Sequence, residues 1–361
     1  MTSSIPPGTV DTSALTFDEL QLATRNHGMP LEALRYELTP VGLHYLLVHY
    51  DIPAVDPATW RLQVGGLVAT PLELSLDDLR RHDPVTVAVT MECAGNGRAR
   101  LHPRPVSQPW LYEAVGTAEW TGVPLTAVLS DAGVDDRAIE VVFTGADRGH
   151  EGGVEQRYQR SLRLDQALAE ETLLAYELNG QPLPPQHGAP LRLVVPGWYG
   201  MTNVKWLTDI DAVDTPFDGY QQATAYRWRT DPEEAGEPLR HMAVRSLMVP
   251  PGIPDFLTRR RRVTPGACEL FGRAWSGTAP IIRVELSVDD GVTWHDADLK
   301  ASVGRFAWTG WRRTWQAEPG EHVLCCRATD ADGRTQPLEH PWNLGGYAVN
   351  TVHRVPVTVE P

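Results

Sequence analysis

Cysteine is scarce in this chain, with four in 361 residues: Cys93, Cys268, Cys325 and Cys326. So few thiols exclude a disulfide framework as the source of stability. Cys325 and Cys326 are neighbours in an apparent strand, so their side chains leave on opposite faces and are poor partners for each other. No Cys-x-x-Cys and no His-Glu-x-x-His occurs, which removes the common zinc sites, and no Cys-x-x-Cys-His occurs to attach a haem. No window approaches the roughly 18 apolar residues of a membrane helix. The opening stretch, Met1 to Asp18, has neither the cationic start nor the apolar centre of a signal peptide, and no twin arginine. A cytoplasmic protein is expected. Positive charge is in deficit: 32 Lys and Arg against 46 Asp and Glu leave a formal net charge of -14. Nucleic acid and anionic membrane surfaces are therefore poor partners. A small anionic ligand is not excluded, because surface fields are screened within about 8 Å and a local arginine can dominate its own pocket. No internal repeat or low-complexity segment is present.

What is there is ordinary in bulk, with 42% hydrophobic and 22% charged residues, and the length suffices for two buried cores. Residues 1–18 read as a flexible lead. From 19 to 235 short strands mix with helices, indicating one α+β domain and not a regular alternation of parallel strands and helices. Leu76–Arg80 and Leu125–Leu129 read as helical, Glu140–Phe143 and Leu191–Val195 as strands. A Pro- and charge-rich linker around 226–254 follows, and Arg259–Arg262 at its far end reads as a solvated or ion-paired run. Residues 240–361 become all-β: Ile282–Val288 alternates and meets an Asp-Asp-Gly turn, and His322–Ala328 repeats the theme. With Trp275, Trp294, Trp308 and Trp311 this pattern suggests an immunoglobulin-like sandwich.

The octapeptide Met91-Glu92-Cys93-Ala94-Gly95-Asn96-Gly97-Arg98 is the most informative segment. It follows the β-branched run Val85–Thr90, a buried strand that would deliver Cys93 to its end. Gly95, Asn96 and Gly97 can supply the positive φ of a tight loop and let backbone approach a ligand. Arg98 sets a permanent cation five residues after the thiol, favouring the thiolate. Most lone cysteines are small buried hydrophobes, and a dinucleotide loop fails because Arg100 stands at its third glycine position.

The segment resembles the molybdenum-binding cysteine loop of the sulfite oxidase family, Cys-Ala-Gly-Asn followed by arginine. Further blocks of that family stand in its order: Arg25-Asn26-His27 upstream, then Tyr176–Leu183, His187–Gly197 and Val204–Leu207. The resemblance runs from about residue 20 to the C-terminus. It implies a molybdopterin-binding catalytic domain followed by a domain that forms a homodimer. It implies Cys93 as the metal ligand, with Arg25, Asn26, His27, Asp147, His187, Arg192, Asn203, Val204 and Lys205 around the pterin and its phosphate. Arg and Lys suit phosphate, Asp and His the polar edges of a pterin. For the substrate it implies Arg25, Arg98, Tyr226 and, by a weaker match, Trp110. The activity implied is oxygen-atom transfer, sulfite to sulfate, with no haem in this chain and electrons passing to a separate acceptor such as a cytochrome c or oxygen. One departure stands out: after Trp342-Asn343-Leu344, where relatives that oxidise sulfite carry arginine, this chain has Gly345. That leaves open another reduced sulfur compound, or a sulfoxide or nitrate reductase of the same cofactor family.

Overall fold

The computed structural model describes residues 14–360. The portion of the expected lead before residue 14 lies outside them. The described chain begins in a helix, Phe17–Arg25, that starts two residues before the expected end of the lead. Thr16 and Glu19 cap it reciprocally, and Arg104 clamps the buried Glu19.

Residues up to about 225 build two sheets that share one core. The first orders its strands 72–74, 62–66, 207–213, 140–151, 154–163, with only 62–66 and 207–213 parallel. The second runs 85–92, 115–124, 173–178, 181–182, and strand Arg192–Val194 also pairs with 173–178. Leu62, Phe143 and Ile210 from one sheet meet Val123, Leu174 and Leu193 from the other, together with Leu125, Val128 and Leu129 of helix Leu125–Ala132. That helix and Leu76–Leu79 stand where the apolar spacing places them. Helix is otherwise sparse among the described residues, so the expected mixture of strands and helices is dominated by its sheets.

The second unit is a two-sheet sandwich. One sheet runs 245–248, 266–275, 309–317, 298–299, and the other 253–254, 261–263, 353–359, 320–330, 281–287, 295–296. Leu270, Trp311 and Trp315 face Leu286, Leu324 and Val357 across its core. Cys326 is in that core whereas Cys325 lies by Asp290, so the adjacent thiols do face apart, and all four cysteines are free. Two of the tryptophans expected in the sandwich do something else: Trp275 and Trp308 pack with Met29, Leu34, Tyr112 and Tyr226 between the units. The arginine run is ion-paired, Arg260 with Glu321 and Arg262 with Glu360, while Arg261 is buried on the carbonyls of Pro250, Pro251 and Gly252. The open edge of strand Val85–Glu92 is covered by the second unit, whose Phe306 pairs at Val89 and accepts from the Thr90 amide at 2.9 Å.

Candidate active site

Strand Val85–Glu92 grows more buried towards its end and delivers Cys93 to the cleft between the two sheets. A tight turn follows, closed by the Asn96 amide on the Cys93 carbonyl and by the Arg98 amide on the Gly95 carbonyl. Of the three residues expected to supply positive φ, only Gly97 does, at 96°. Gly95 serves by its size, since a Cβ there would lie 2.7 Å from the Arg98 guanidinium. Burial pushes the Cys93 thiol up, while Arg98, the Gly95 amide and the Trp110 indole pull it down. The expectation of a free thiolate beside a cation is thus reversed in the chain alone, because desolvation outweighs one arginine. A bound metal would supply the missing positive charge.

Two adjoining cavities open from Cys93. The inner one is lined by His44, Tyr45, Leu46, Leu47, His49, Asp147, Tyr158, His187, Arg192, Asn203, Lys205 and Tyr226. Asp147 stands on a bulge between Thr144 and Arg148, a device that re-aims side chains beside sites. Its Oδ1 is buried without a partner, as are Arg192 Nε and His44 Nε2. Burial raises the Asp147 carboxyl, with Lys205 opposing, and lowers the Lys205 ammonium, with Arg192 adding to the fall and Asp147 opposing. Lys205 donates to the Leu47 carbonyl at 2.7 Å. His187 ends a short 3₁₀ turn, and its carbonyl accepts from Arg192 at 3.2 Å. Buried polar groups are nearly always paired, so orphans converging on one cleft fit a large polar cofactor bearing an anionic group.

The outer cavity is lined by Arg98, Trp110, Tyr50, Glu151, Tyr226 and Tyr347 among others. Arg98 is its buried cation, tied to the Gly345 carbonyl at 2.7 Å and stacked 5.0 Å from the centre of the Tyr347 ring. The Tyr226 hydroxyl meets His49 Nε2 at 2.8 Å, and burial takes that imidazole down to about 3, so it is neutral.

Several expected residues stand apart from these cavities or are already engaged within the protein. Arg25 is exposed, gives its guanidinium to the Tyr50 carbonyl and Asp51, and lines neither cavity. His27 is exposed too, its backbone bridged to Leu46. Asn26 is buried beside the site, accepting from the Val48 amide at 2.7 Å and donating to Gln108 at 3.1 Å. The segment that lines the cleft is His44–His49, some twenty residues further on. Val204 is buried, with its amide on Thr202 and its carbonyl taken by Leu193, leaving neither to a ligand. Asn203 lines the cleft but also accepts from the Val195 amide at 2.7 Å. Arg160 was missed: it is buried, stacks on Tyr226 and donates to the Gln221 carbonyl at 2.6 Å, and no short motif surrounds it.

Known proteins resemble the chain over most of its length. Residues 49–221 match the model of the oxidoreductase molybdopterin binding domain, and 237–360 that of the Mo-co oxidoreductase dimerisation domain. The chain is 35% identical over 349 residues to mitochondrial sulfite oxidase of Mus musculus, covering 90% of this chain and 62% of that one. It is 35% identical over 340 residues to sulfite oxidase of Gallus gallus, covering 88% and 72%, and 31% identical over 353 residues to nitrate reductase [NADH] of Ulva prolifera, covering 88% and 40%. It thus spans about three fifths of the length of the mammalian relatives. In fold it matches the crystal structure of the sulfane dehydrogenase SoxCD from Paracoccus pantotrophus, with a TM-score of 0.81 at 24% identity over 100% of this chain and 95% of that one. The two domain models together define a molybdopterin-binding oxidoreductase. More narrowly, the chain belongs to the sulfite oxidase family. No helix among the described residues is long and apolar enough to cross a membrane.

Proposed function

We propose that the chain oxidises a reduced sulfur compound by molybdenum-dependent oxygen-atom transfer, with sulfite as the first candidate. The observation that carries this reading is the convergence of Cys93 with the unpartnered Asp147, Arg192 and His44 atoms on one cleft. Bound molybdenum would supply a two-electron change coupled to oxygen transfer, so that sulfite and water become sulfate, two protons and two electrons. Cys93 is the metal's protein ligand in this reading, because soft sulfur suits a metal that changes oxidation state. Arg192 and Lys205 hold the cofactor's anionic end, and Asp147 and His187 its polar edges. Arg98 binds and orients the substrate anion, and Trp110 walls the cavity. Tyr226, fixed by neutral His49, presents its hydroxyl to the cleft. The protein's part is position and charge. Electrons leave to a separate acceptor such as a cytochrome c or oxygen, the C-terminal sandwich (of immunoglobulin type by its strand pattern) forms a homodimer, and the protein is cytoplasmic. The functional domains are 19–235 and 240–361.

A second reading, a bulkier and less charged sulfur compound, is favoured by one feature. The outer cavity holds a single buried arginine between aromatic walls, and Glu151 stands at its side. Molybdenum-loaded protein should be assayed against sulfite, thiosulfate, sulfoxides and nitrate with artificial acceptors and donors. Sulfite turnover supports the first reading, and turnover of a larger sulfur compound alone supports the second. Reduction of nitrate or a sulfoxide with no sulfur oxidation would replace both with a reductase.

A further inference from the structure

Glu92, next to the cysteine, is buried, and its carboxylate is bonded across the boundary between the units. Oε1 accepts from Arg245 Nη1 at 2.6 Å and Asn96 Nδ2 at 3.0 Å, and Oε2 accepts from Trp275 Nε1 at 2.9 Å. Arg245 is 1% exposed, and Arg245 and Trp275 are partners in the pairing of strands 245–248 and 266–275, so the second unit presents both donors together. Arg245 also donates to the Asn96 carbonyl at 3.2 Å. Asn96 in turn fastens the turn to the neighbouring strand, donating to the Tyr112 carbonyl and accepting from the Ala114 amide. The second unit closes the other side as well: the Ala348 amide donates to the Ala94 carbonyl at 2.8 Å, and Val349 fills the space a side chain at Gly97 would need.

A buried carboxylate–guanidinium pair carries a desolvation cost that apolar packing avoids. What the pair gives in return is direction, because Arg245 holds one carboxylate oxygen and Trp275 the other. We propose that Glu92, Arg245 and Trp275 form a clamp through which the C-terminal unit fixes the Cys93 turn and sets how the sulfur meets the metal. They are positioning residues, and the inference rests on Cys93 being the metal's ligand. The second unit would then complete the site as well as join two chains.

The test compares Cys93→Ser, Trp275→Phe and Glu92→Gln, each loaded with molybdenum cofactor. Metal content, thermal unfolding and the absorption band that Cys93→Ser abolishes would be measured. If Cys93→Ser abolishes no band, the ligand assignment fails by itself, whatever the other variants do. With the ligand established, Trp275→Phe and Glu92→Gln should load metal, shift the band and lower kcat by about tenfold or more, the usual scale for residues that orient a metal ligand. Folded, loaded Trp275→Phe with the parental band and kcat would overturn the clamp, even if Glu92→Gln does not fold. A stability loss with the spectrum unmoved would likewise reduce these residues to ordinary packing.

Discussion

Gly345 shows how one residue changes meaning between sequence and structure. From the sequence, a glycine in place of arginine removes one charge-assisted hydrogen bond, about 1.5–3 kcal/mol when desolvated, so Gly345→Arg should tighten sulfite binding by about one to two decades. In the fold a Cβ at 345 would overlap the Tyr347 ring, and the Gly345 carbonyl holds Arg98. Gly345→Arg must therefore displace Tyr347 and disturb the existing cation. The expected outcome is no fall in KM for sulfite and a lower unfolding temperature. Gly345→Arg combined with Tyr347→Ala, which opens the space, should lower KM. Steady-state kinetics of both at several salt concentrations would check this, and a lower KM in the single variant would show that the ring yields freely.

At the scale of elements, the segment Leu47–His49 enters the cleft because helix Phe17–Arg25 ends in an anchored residue. Asn26 caps that helix on the Leu22 carbonyl and accepts from the Val48 amide. Asn26→Ala leaves this buried amide unpaired, a loss of about 1–3 kcal/mol. An unfolding temperature lower by several degrees is expected, with reduced molybdenum occupancy because Leu47 also holds Lys205. Melting and metal analysis of the purified variant decide it; parental values for both would mean that the segment holds its place without Asn26. The Arg25-Asn26-His27 block was visible in the sequence, but which element it supports was not. That depends on a pairing of His27 with Leu46 across nineteen positions.

At the scale of the molecule, buried histidines set the acid limit. Burial, with Arg245 and Arg100 adding to it, takes His353 down to about 3, and its Nδ1 accepts from the Met248 amide, which needs the neutral ring. Burial takes His44 down to about 4. These folded values lie below the unfolded value of about 6.5, so unfolding takes up protons. The histidine contribution is whole above about 6.5 and is lost as pH falls towards the folded values. Each such group costs roughly 1.4 kcal/mol per pH unit in that window. His353→Gln should flatten the decline in stability between about pH 6 and 4 by that amount; denaturant unfolding across the range would show it, and an unchanged slope would refute the assignment. The second unit also exposes Phe256 and Leu257, each 85% accessible, and Val292. Apolar exposure of this kind accords with a partner surface. Light scattering at micromolar concentration is expected to give twice the chain mass, and a value for one chain would argue against the dimer.

The sequence by itself determined the cysteine turn, the helices at Leu76 and Leu125, the all-β character of the C-terminal half and the ion-paired arginine run. These are local: a strand followed by Gly-Asn-Gly, an apolar spacing, a charge pattern each constrain only their own neighbourhood. Tertiary structure decided the rest. It chose His44–His49 over Arg25 for the cleft, buried Arg160 against Tyr226, turned Trp275 and Trp308 to the boundary between the units and raised the Cys93 thiol against its neighbouring arginine. Each of these depends on which distant strand supplies a hydrogen bond and on how much water the assembled core excludes, quantities that exist only once the two sheets and the sandwich have closed on one another.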